Sequence, residues 1–192
     1  MTIILTHGDG DGICSAALVK MTKEFKEAEV RFTHPMGFAD DLRGIEEEVI
    51  VCDIAIDERA YETVCKELDY LATHFSVLYI DHHRLPGKLP QKVNLVHQEY
   101  VSATELVFRH FYYQLPKTAD RIAVIGAICD YLDHTPLMME LRNRFERRTL
   151  FLDAGLLAQG LKNGNSYDEM RALVLEFRDR KSTRLNSSHR IR

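Results

Sequence analysis

The sequence lacks an excess of positive charge, a long apolar run and a leading basic segment. Lysine and arginine number 25 against 29 aspartates and glutamates, a formal net charge of −4. This balance excludes a basic field over the whole surface, although a local cationic groove remains compatible with it. No apolar run approaches the roughly 20 residues that a membrane-spanning helix needs. Without a basic region before the first apolar segment we expect no signal peptide, no membrane partner and a cytoplasmic location.

Cysteine is scarce and widely spaced. The four cysteines form neither a C-x-x-C pair nor a zinc-like spacing: Cys14, Cys52, Cys65 and Cys129. We expect them to be reduced, mostly buried thiols of a cytosolic protein. The chain has 192 residues, 45% of them hydrophobic, which is enough for one core and a small appendage.

Short apolar segments alternate with helical patterns along the first half of the chain. Such segments are typical of interior strands in a parallel sheet. We predict an α/β, doubly wound, mostly parallel sheet of about five strands, with helices on both faces, followed by C-terminal helices. The predicted strands are residues 2–6, 30–33, 49–52, 77–80 and 93–96.

Polar residues follow several of these strands directly. Asp81, His82 and His83 come after the run 77–80, and Asp53 comes after 49–52. Ligands of open α/β sheets gather beyond the carboxyl ends of strands. One such pair alone is more typical of a strand followed by a polar turn, so the repetition of the pattern is what favours a site.

The loop after the first strand, His7-Gly8-Asp9-Gly10-Asp11-Gly12, allows two interpretations. It could be a glycine-rich turn in which Asp11 caps the following helix. Alternatively, His7, Asp9 and Asp11 occupy alternate positions, which point the same way in an extended segment. Two converging carboxylates repel each other unless a cation lies between them.

A helix that is apolar all round, residues 122–129, ends at Asp130. A buried carboxylate at a helix C-terminus is unfavourable, and a nearby cation would remove the cost. The alternative is that Asp130, like Asp133, emerges into solvent where the helix stops.

Parallel strands with right-handed crossovers place these ends at one edge of the sheet. So many acids in one crevice require cations, and mixed imidazole and carboxylate ligands suit Mn²⁺ or another divalent first-row ion. The gathered residues are His7, Asp9, Asp11, Asp53, Asp81, His82, His83 and Asp130.

The joint pattern resembles the four motifs of the DHH phosphoesterases over residues 1 to roughly 135. These are H-x-D-x-D-G-x-x-S-A from His7 to Ala16, the isolated Asp53, Asp81-His82-His83, and the later Asp130. The superfamily includes RecJ-like exonucleases, nanoRNases, cyclic-dinucleotide phosphodiesterases and manganese pyrophosphatases. Its RecJ-like members often carry an acid where this chain has His7.

The resemblance implies two divalent metal ions, Mn²⁺ first and Mg²⁺ as the alternative, which activate water. Asp53 would bridge the ions and belong to the catalytic group with Asp81 and His83. Asp81 would orient the histidines, and His83 would face the phosphate. The remaining ligands would be Asp11, His82 and Asp130 for one ion, and His7 and Asp9 for the other.

The resemblance also implies a domain organisation. Residues 1–135 would form the metal-centre domain, and residues 136–180 a helical connector towards a substrate-binding domain that this chain lacks. Residues 181–192 resemble translated sequencing-adaptor read-through and are interpreted as a non-native tail. We therefore expect weak or no activity from this chain by itself.

The function predicted from the resemblance is hydrolysis of phosphodiester bonds in single-stranded or short oligonucleotides. A small-molecule phosphoesterase, acting on pyrophosphate, a cyclic dinucleotide or adenosine bisphosphate, is the alternative within enzymes. A non-catalytic module that binds nucleic acid or a protein partner is the alternative outside them.

Overall fold

The computed structural model describes residues 1–161 and 166–179. The strands are β1 (Thr2–His7), β2 (Glu29–Thr33), β3 (Glu48–Cys52), β4 (Val77–Asp81) and β5 (Asn94–His97). The helices are α1 (Gly10–Met21), α2 (Phe38–Leu42), α3 (Tyr61–His74), α4 (Ala103–His110), α5 (Ala119–Cys129), α6 (Pro136–Arg142), α7 (Arg147–Leu161) and α8 (Tyr167–Asp179). A 3₁₀ turn, Tyr112–Gln114, follows α4.

The five strands form one sheet in the order β2-β1-β3-β4-β5, and every neighbouring pair is parallel. The chain moves outward from β1 to β2, then returns past β1 and continues in the opposite direction through β3, β4 and β5. The strand order therefore reverses between β1 and β3. At such a reversal the connections diverge and leave a crevice beyond the strand ends, where α/β proteins bind ligands.

Helices cover both faces of the sheet, as predicted. Successive strand side chains point to opposite faces. In β3, Val49 and Val51 pack with α2 and α3, whereas Ile50 and Cys52 pack with α1, α4 and α5. The predicted fold class is confirmed.

Helix α1 is enclosed on all sides, and its residues 10–20 are buried. It lies so close to β1 that a Cβ at Gly12 would stand 2.3 Å from the carbonyl oxygen of His7. A Cβ at Gly126 of α5 would stand 2.9 Å from the Cβ of Cys14. These contacts fix the loop between β1 and α1, which bears the aspartates of the first motif.

The C-terminal helices α6, α7 and α8 join the core on the α1 face of the sheet. Their buried residues in that core are Met138, Leu141, Leu150, Ala154, Leu157, Val174 and Phe177. The domain boundary at residue 135 stays a prediction, and the predicted tail 181–192 lies outside the described residues. Within 1–161 and 166–179, no helix has the length and apolar character needed to cross a bilayer.

Candidate metal centre

The carboxyl edge of the sheet brings the predicted ligands together. Three groups of side chains each offer nitrogen and oxygen atoms that lie within 4.8 Å of one another. The groups are His7, Asp9 and Asp53; Asp11, His82 and Asp130; and Asp53, His82 and His83. Asp53 belongs to two of the three, which is the position expected of a bridging carboxylate.

Asp53 is held in an unusual conformation. Its φ is 59°, in the left-handed region, which costs a residue other than glycine of the order of 1–3 kcal/mol. The side chain is buried, and among the described residues its Oδ2 has no hydrogen-bond partner. Burial first, and then the carboxylate of Asp11, raise the pKa of Asp53 well above its usual value. A cation would satisfy the unpaired oxygen and the charge together.

Asp11 is fixed by the N-terminus of α4 rather than capping α1. Its carboxylate accepts hydrogen bonds from the backbone N–H groups of Ala103, at 2.8 Å, and Thr104, at 2.9 Å, and from the Thr104 hydroxyl. Burial raises the pKa of Asp11 to about 7. The helix cap of α1 is Asp9, which accepts from the N–H of Gly12 at 2.9 Å, so the interpretation of Asp11 as the cap is wrong.

His82 lies between three carboxylates. Its Nε2 is 3.3 Å from Oδ1 of Asp53, 3.5 Å from Oδ2 of Asp130 and 4.0 Å from Oδ2 of Asp11. Burial lowers the pKa of His82, which favours the neutral imidazole that binds metals. Burial also raises the pKa of Asp130.

Asp130 and Asp133 do not simply emerge into solvent where α5 stops. Asp130 faces His82, as the cation interpretation requires. Asp133 is buried, and its carboxylate accepts a hydrogen bond from Arg142 of α6. The alternative of solvent exposure is therefore wrong for Asp133, whose charge is balanced by a neighbouring helix.

His7 and Asp9 form the more exposed part of the centre. Nδ1 of His7 is 2.8 Å from Oδ2 of Asp9. This hydrogen bond raises the pKa of His7. Burial opposes ionisation of Asp9, but the hydrogen bond and charge of His7, together with the hydrogen bond from the Gly12 N–H, outweigh it and lower the pKa of Asp9 to about 2.

His83 is oriented by Asp81. Nδ1 of His83 lies 2.9 Å from Oδ1 of Asp81, and the backbone N–H of His83 donates to Oδ2 at 3.1 Å. The bond to Asp81 raises the pKa of His83. Nε2 of His97 donates to the carbonyl oxygen of His83 at 2.6 Å. The described contacts of Asp81 orient His83 but not His82.

Two of the supporting residues were not predicted from the sequence. Thr104 lies 93 positions from Asp11, and its surroundings, Ser102 to Glu105, are typical of a helix start and carry no sign of a metal site. His97 closes the strand β5 and had no motif around it. The contact of each depends on how α4 or β5 packs, which a local pattern does not specify.

A cleft of about 510 Å³ opens beside the carboxylates, between the β1–α1 loop, the end of α5 and α7. It is lined by Gly8, Asp9, Gly10, Asp11, Cys129, Asp130, Tyr131, Gly155, Ala158, Gln159 and Leu161. Burial raises the pKa of the Cys129 thiol to about 12, so this cysteine stays protonated near neutral pH and is a poor nucleophile.

The donor set fits divalent cations, and the number of ions stays a prediction. Several carboxylates converge where burial disfavours their charge, a neutral imidazole lies among them, and one buried oxygen has no partner in the described structure. Oxygen and imidazole ligands without a thiolate suit Mn²⁺ or Mg²⁺ better than a structural zinc ion. The assignment of individual ligands stays a prediction.

The sequence profile of the DHH family, N-terminal domain, matches residues 1–130. No sequence among the curated proteins matches the chain. The matched segment contains all the residues of the candidate centre.

Solved structures show the same fold at low sequence identity. An exonuclease RecJ bound to manganese aligns at 18% identity with a TM-score of 0.57, over 92% of this chain and 60% of its own. The pGpG-specific phosphodiesterase PggH from Vibrio cholerae aligns at 16% identity with a TM-score of 0.55, over 93% of this chain and 53% of its own. A DHH domain from a member of the s1p family of ribosomal proteins gives 17% identity and a TM-score of 0.59, over 92% of this chain and 53% of its own. The chain thus spans between about half and three fifths of the length of these structures.

Proposed function

The chain belongs to the DHH family, and we propose that it is a metal-dependent phosphodiesterase that hydrolyses single-stranded or short oligonucleotides. The observation that supports this most directly is the position of Asp53. Its buried Oδ2, which has no hydrogen-bond partner in the part of the chain that the structure describes, lies where two groups of candidate ligands meet. That arrangement is suited to two cations and has no evident role in a module that only packs against a partner.

The substrate class is proposed from two kinds of support. One similar structure is an exonuclease bound to manganese, and another is a phosphodiesterase specific for pGpG. The centre is also open on one side to a cleft of about 510 Å³, within the size range of pockets that bind small organic ligands. A short oligonucleotide is consistent with both the similar structures and the cleft. It would bring one phosphodiester to the carboxylates and one neighbouring group into the cleft.

Each residue of the centre has a role in this proposal. Asp53, Asp11, His82 and Asp130 would hold one ion, and Asp53, His7 and Asp9 the other. When bound, the two ions lower the pKa of a water molecule and neutralise the phosphate oxygens. The chain itself orients the ligands: the N–H groups at the start of α4 fix Asp11, and the left-handed backbone at Asp53 directs its carboxylate inward.

His83 is proposed to contact the phosphate. Asp81 occupies Nδ1 and raises the pKa of the ring, which leaves Nε2 as the nitrogen available to donate to a phosphate oxygen. The side chain is part-exposed, so an incoming substrate can reach it. A protonated imidazole in this place binds the anion and stabilises the negative charge that develops during hydrolysis.

The test is hydrolysis of a panel of substrates with and without Mn²⁺. The panel contains oligonucleotides of two to ten nucleotides, pyrophosphate, a cyclic dinucleotide and adenosine bisphosphate. Comparing the rates of hydrolysis distinguishes the proposed function from that of a small-molecule phosphoesterase. We expect slow Mn²⁺-dependent cleavage of the oligonucleotides, which Asp53→Asn should abolish. The control is Asp40→Asn, which should retain cleavage, because Asp40 is an exposed residue of α2, on the face of the sheet opposite to α1.

Two results would count against the proposal. Faster turnover of a small phosphoester than of every oligonucleotide would favour the alternative enzyme. Intact oligonucleotide binding without Mn²⁺ uptake or turnover of any substrate would favour a non-catalytic module.

A further inference from the structure

The lining of the cleft beside the metal centre has two chemically different parts. One consists of the carboxylates of Asp9, Asp11 and Asp130, and the other of uncharged residues of α7 and the end of α5. The residues that line it within the described chain include no lysine or arginine. A phosphate in this lining would be repelled by the neighbouring carboxylates, whereas a neutral group would not, so we take the occupant to be neutral.

The uncharged part has room beside α7. Gly155 and Ala158 carry little or no side chain, and a Cβ at Gly155 would meet nothing within 4 Å. Gln159 supplies an amide, which both donates and accepts hydrogen bonds. Tyr131 supplies an aromatic face directly after the candidate ligand Asp130.

The conformation of Tyr131 is one that the fold would more readily give to glycine. The end of α5 is a Schellman motif, in which Leu132 N–H donates to the Ala127 carbonyl at 2.8 Å and Tyr131 N–H to Ile128 at 3.1 Å. Tyr131 takes the left-handed position of that motif, with φ at 57°, and its side chain is 83% exposed. Neither the helix end nor the core requires a tyrosine here.

We propose that this cleft binds the nucleobase next to the scissile phosphate, with Tyr131 stacked on the base and Gln159 bonded to its edge. The inference rests on the proposed function and specifies it further, because it assigns the group that the cleft takes. Stacking on an aromatic side chain tolerates every base, since each has a π-face. The cleft would thus add affinity for oligonucleotides without strong sequence preference.

The first test fills the cleft. Gly155→Leu places a side chain in open space on an exposed face of α7, so the protein should fold, while the leucine occupies the volume of the base. The control is Gly160→Leu, on the same helix, where a Cβ also meets nothing within 4 Å but which does not line the cleft. We expect Gly155→Leu to weaken oligonucleotide binding roughly 5- to 100-fold, the range for loss of one stacked base, and Gly160→Leu to leave it unchanged.

The second test separates stacking from a structural role. Tyr131→Gly should raise the temperature of unfolding, because glycine suits the left-handed position, and should weaken binding by the same factor. Tyr131→Phe should keep binding close to that of the wild type. Tyr113→Ala is the control. Tyr113 is 99% exposed in the turn after α4, and Asp11 contacts the opposite end of that helix.

The readout is fluorescence quenching of a short oligonucleotide containing 2-aminopurine, measured with Ca²⁺, beside hydrolysis of the same oligonucleotide and of an abasic analogue with Mn²⁺. Quenching that Tyr131→Gly and Gly155→Leu both abolish supports the base site, whether or not hydrolysis occurs. The base site is overturned if the abasic analogue is hydrolysed as fast as the intact oligonucleotide and both variants behave as the wild type. That result leaves the proposed function standing. Absence of quenching in the wild-type protein also overturns the base site.

Discussion

The two halves of the candidate centre differ in their access to solvent. In the inner half, the side chains of Asp11 and His82 are 1% and 10% exposed, and only Asp130, at 35%, reaches the surface. In the outer half, those of His7 and Asp9 are 37% and 48% exposed. Both halves share Asp53, so the difference lies in what surrounds the shared carboxylate.

This difference changes the electrostatics of each half. Burial raises the pKa of Asp11 to about 7, so in the absence of a cation this carboxyl tends to keep its proton. Asp9 is instead already ionised, since its hydrogen bond with His7 lowers its pKa to about 2. We infer that an ion in the inner half is bound more tightly and contributes to stability, whereas an ion in the outer half exchanges more readily.

Asn substitutions of the two aspartates should produce the largest contrast between the halves. Asp11→Asn removes a buried ligand that three hydrogen bonds hold in place, and we expect it to weaken the tighter Mn²⁺ site at least 100-fold. Asp9→Asn should weaken only the second site, because Asp9 belongs to the group with His7 and Asp53 and not to the group with Asp11, His82 and Asp130. Isothermal titration calorimetry measures both, and equal loss at both sites in the two variants would contradict the division into halves.

The pH dependence of stability should report on the inner half. The folded-state pKa of Asp11 is raised, so the native state holds its proton more firmly than the unfolded chain does. The metal-free protein should then be most stable near pH 4 and lose stability as the pH rises towards 7, by up to about 1.4 kcal/mol per pH unit for each proton.

Saturating Mn²⁺ should remove this loss, since the ion takes the place of the proton. Urea unfolding at pH 4.5, 5.5 and 6.5, with and without Mn²⁺, measures the effect. The Asp11→Asn variant is the control and should show a flatter profile. A metal-free protein that gains stability over this range would show that other groups dominate.

Thr104→Val tests the support of the inner half without removing a ligand. The change is close to isosteric but removes the hydroxyl that donates to the Asp11 carboxylate. Loss of a hydrogen bond to a metal ligand costs about 10- to 100-fold in affinity or activity, and we expect the tighter site to weaken by that factor. The weaker site should be unaffected. An unchanged Mn²⁺ affinity would mean that the backbone N–H groups of α4 suffice to hold Asp11.

The smallest effect on metal binding is expected for Asp81→Asn. This change disturbs the orientation of His83 but no described contact of His82, so Mn²⁺ affinities should change less than about threefold. Turnover should fall by about 10- to 100-fold, because His83 loses the negative charge beside it and with it the raised pKa. Activity assays that give kcat and calorimetric titration of Mn²⁺, both on the same preparation, distinguish a loss of turnover from a loss of metal affinity. A large loss of Mn²⁺ affinity would make Asp81 a member of the metal site itself.

The sequence predicted the centre better than its surroundings, for a physical reason. Asp53, Asp81 and His82 directly follow buried strands, and parallel strands bring their carboxyl ends together whatever the helices do. The contacts of Thr104 and His97, the burial of Asp133 and the cleft beside α7 depend on how distant helices pack. Tyr131 could have been singled out only from its backbone conformation, which the sequence does not reveal.

The central claim is that Asp53 joins two metal sites into one centre, and Mn²⁺ stoichiometry tests it most directly. We would titrate Mn²⁺ into the wild-type protein and into Asp53→Asn by calorimetry, with Asp40→Asn as the control. The account predicts two ions for the wild type and the control, and weakening of both sites by the single substitution at Asp53. One ion in the wild type, or loss of only one site in Asp53→Asn, would contradict it.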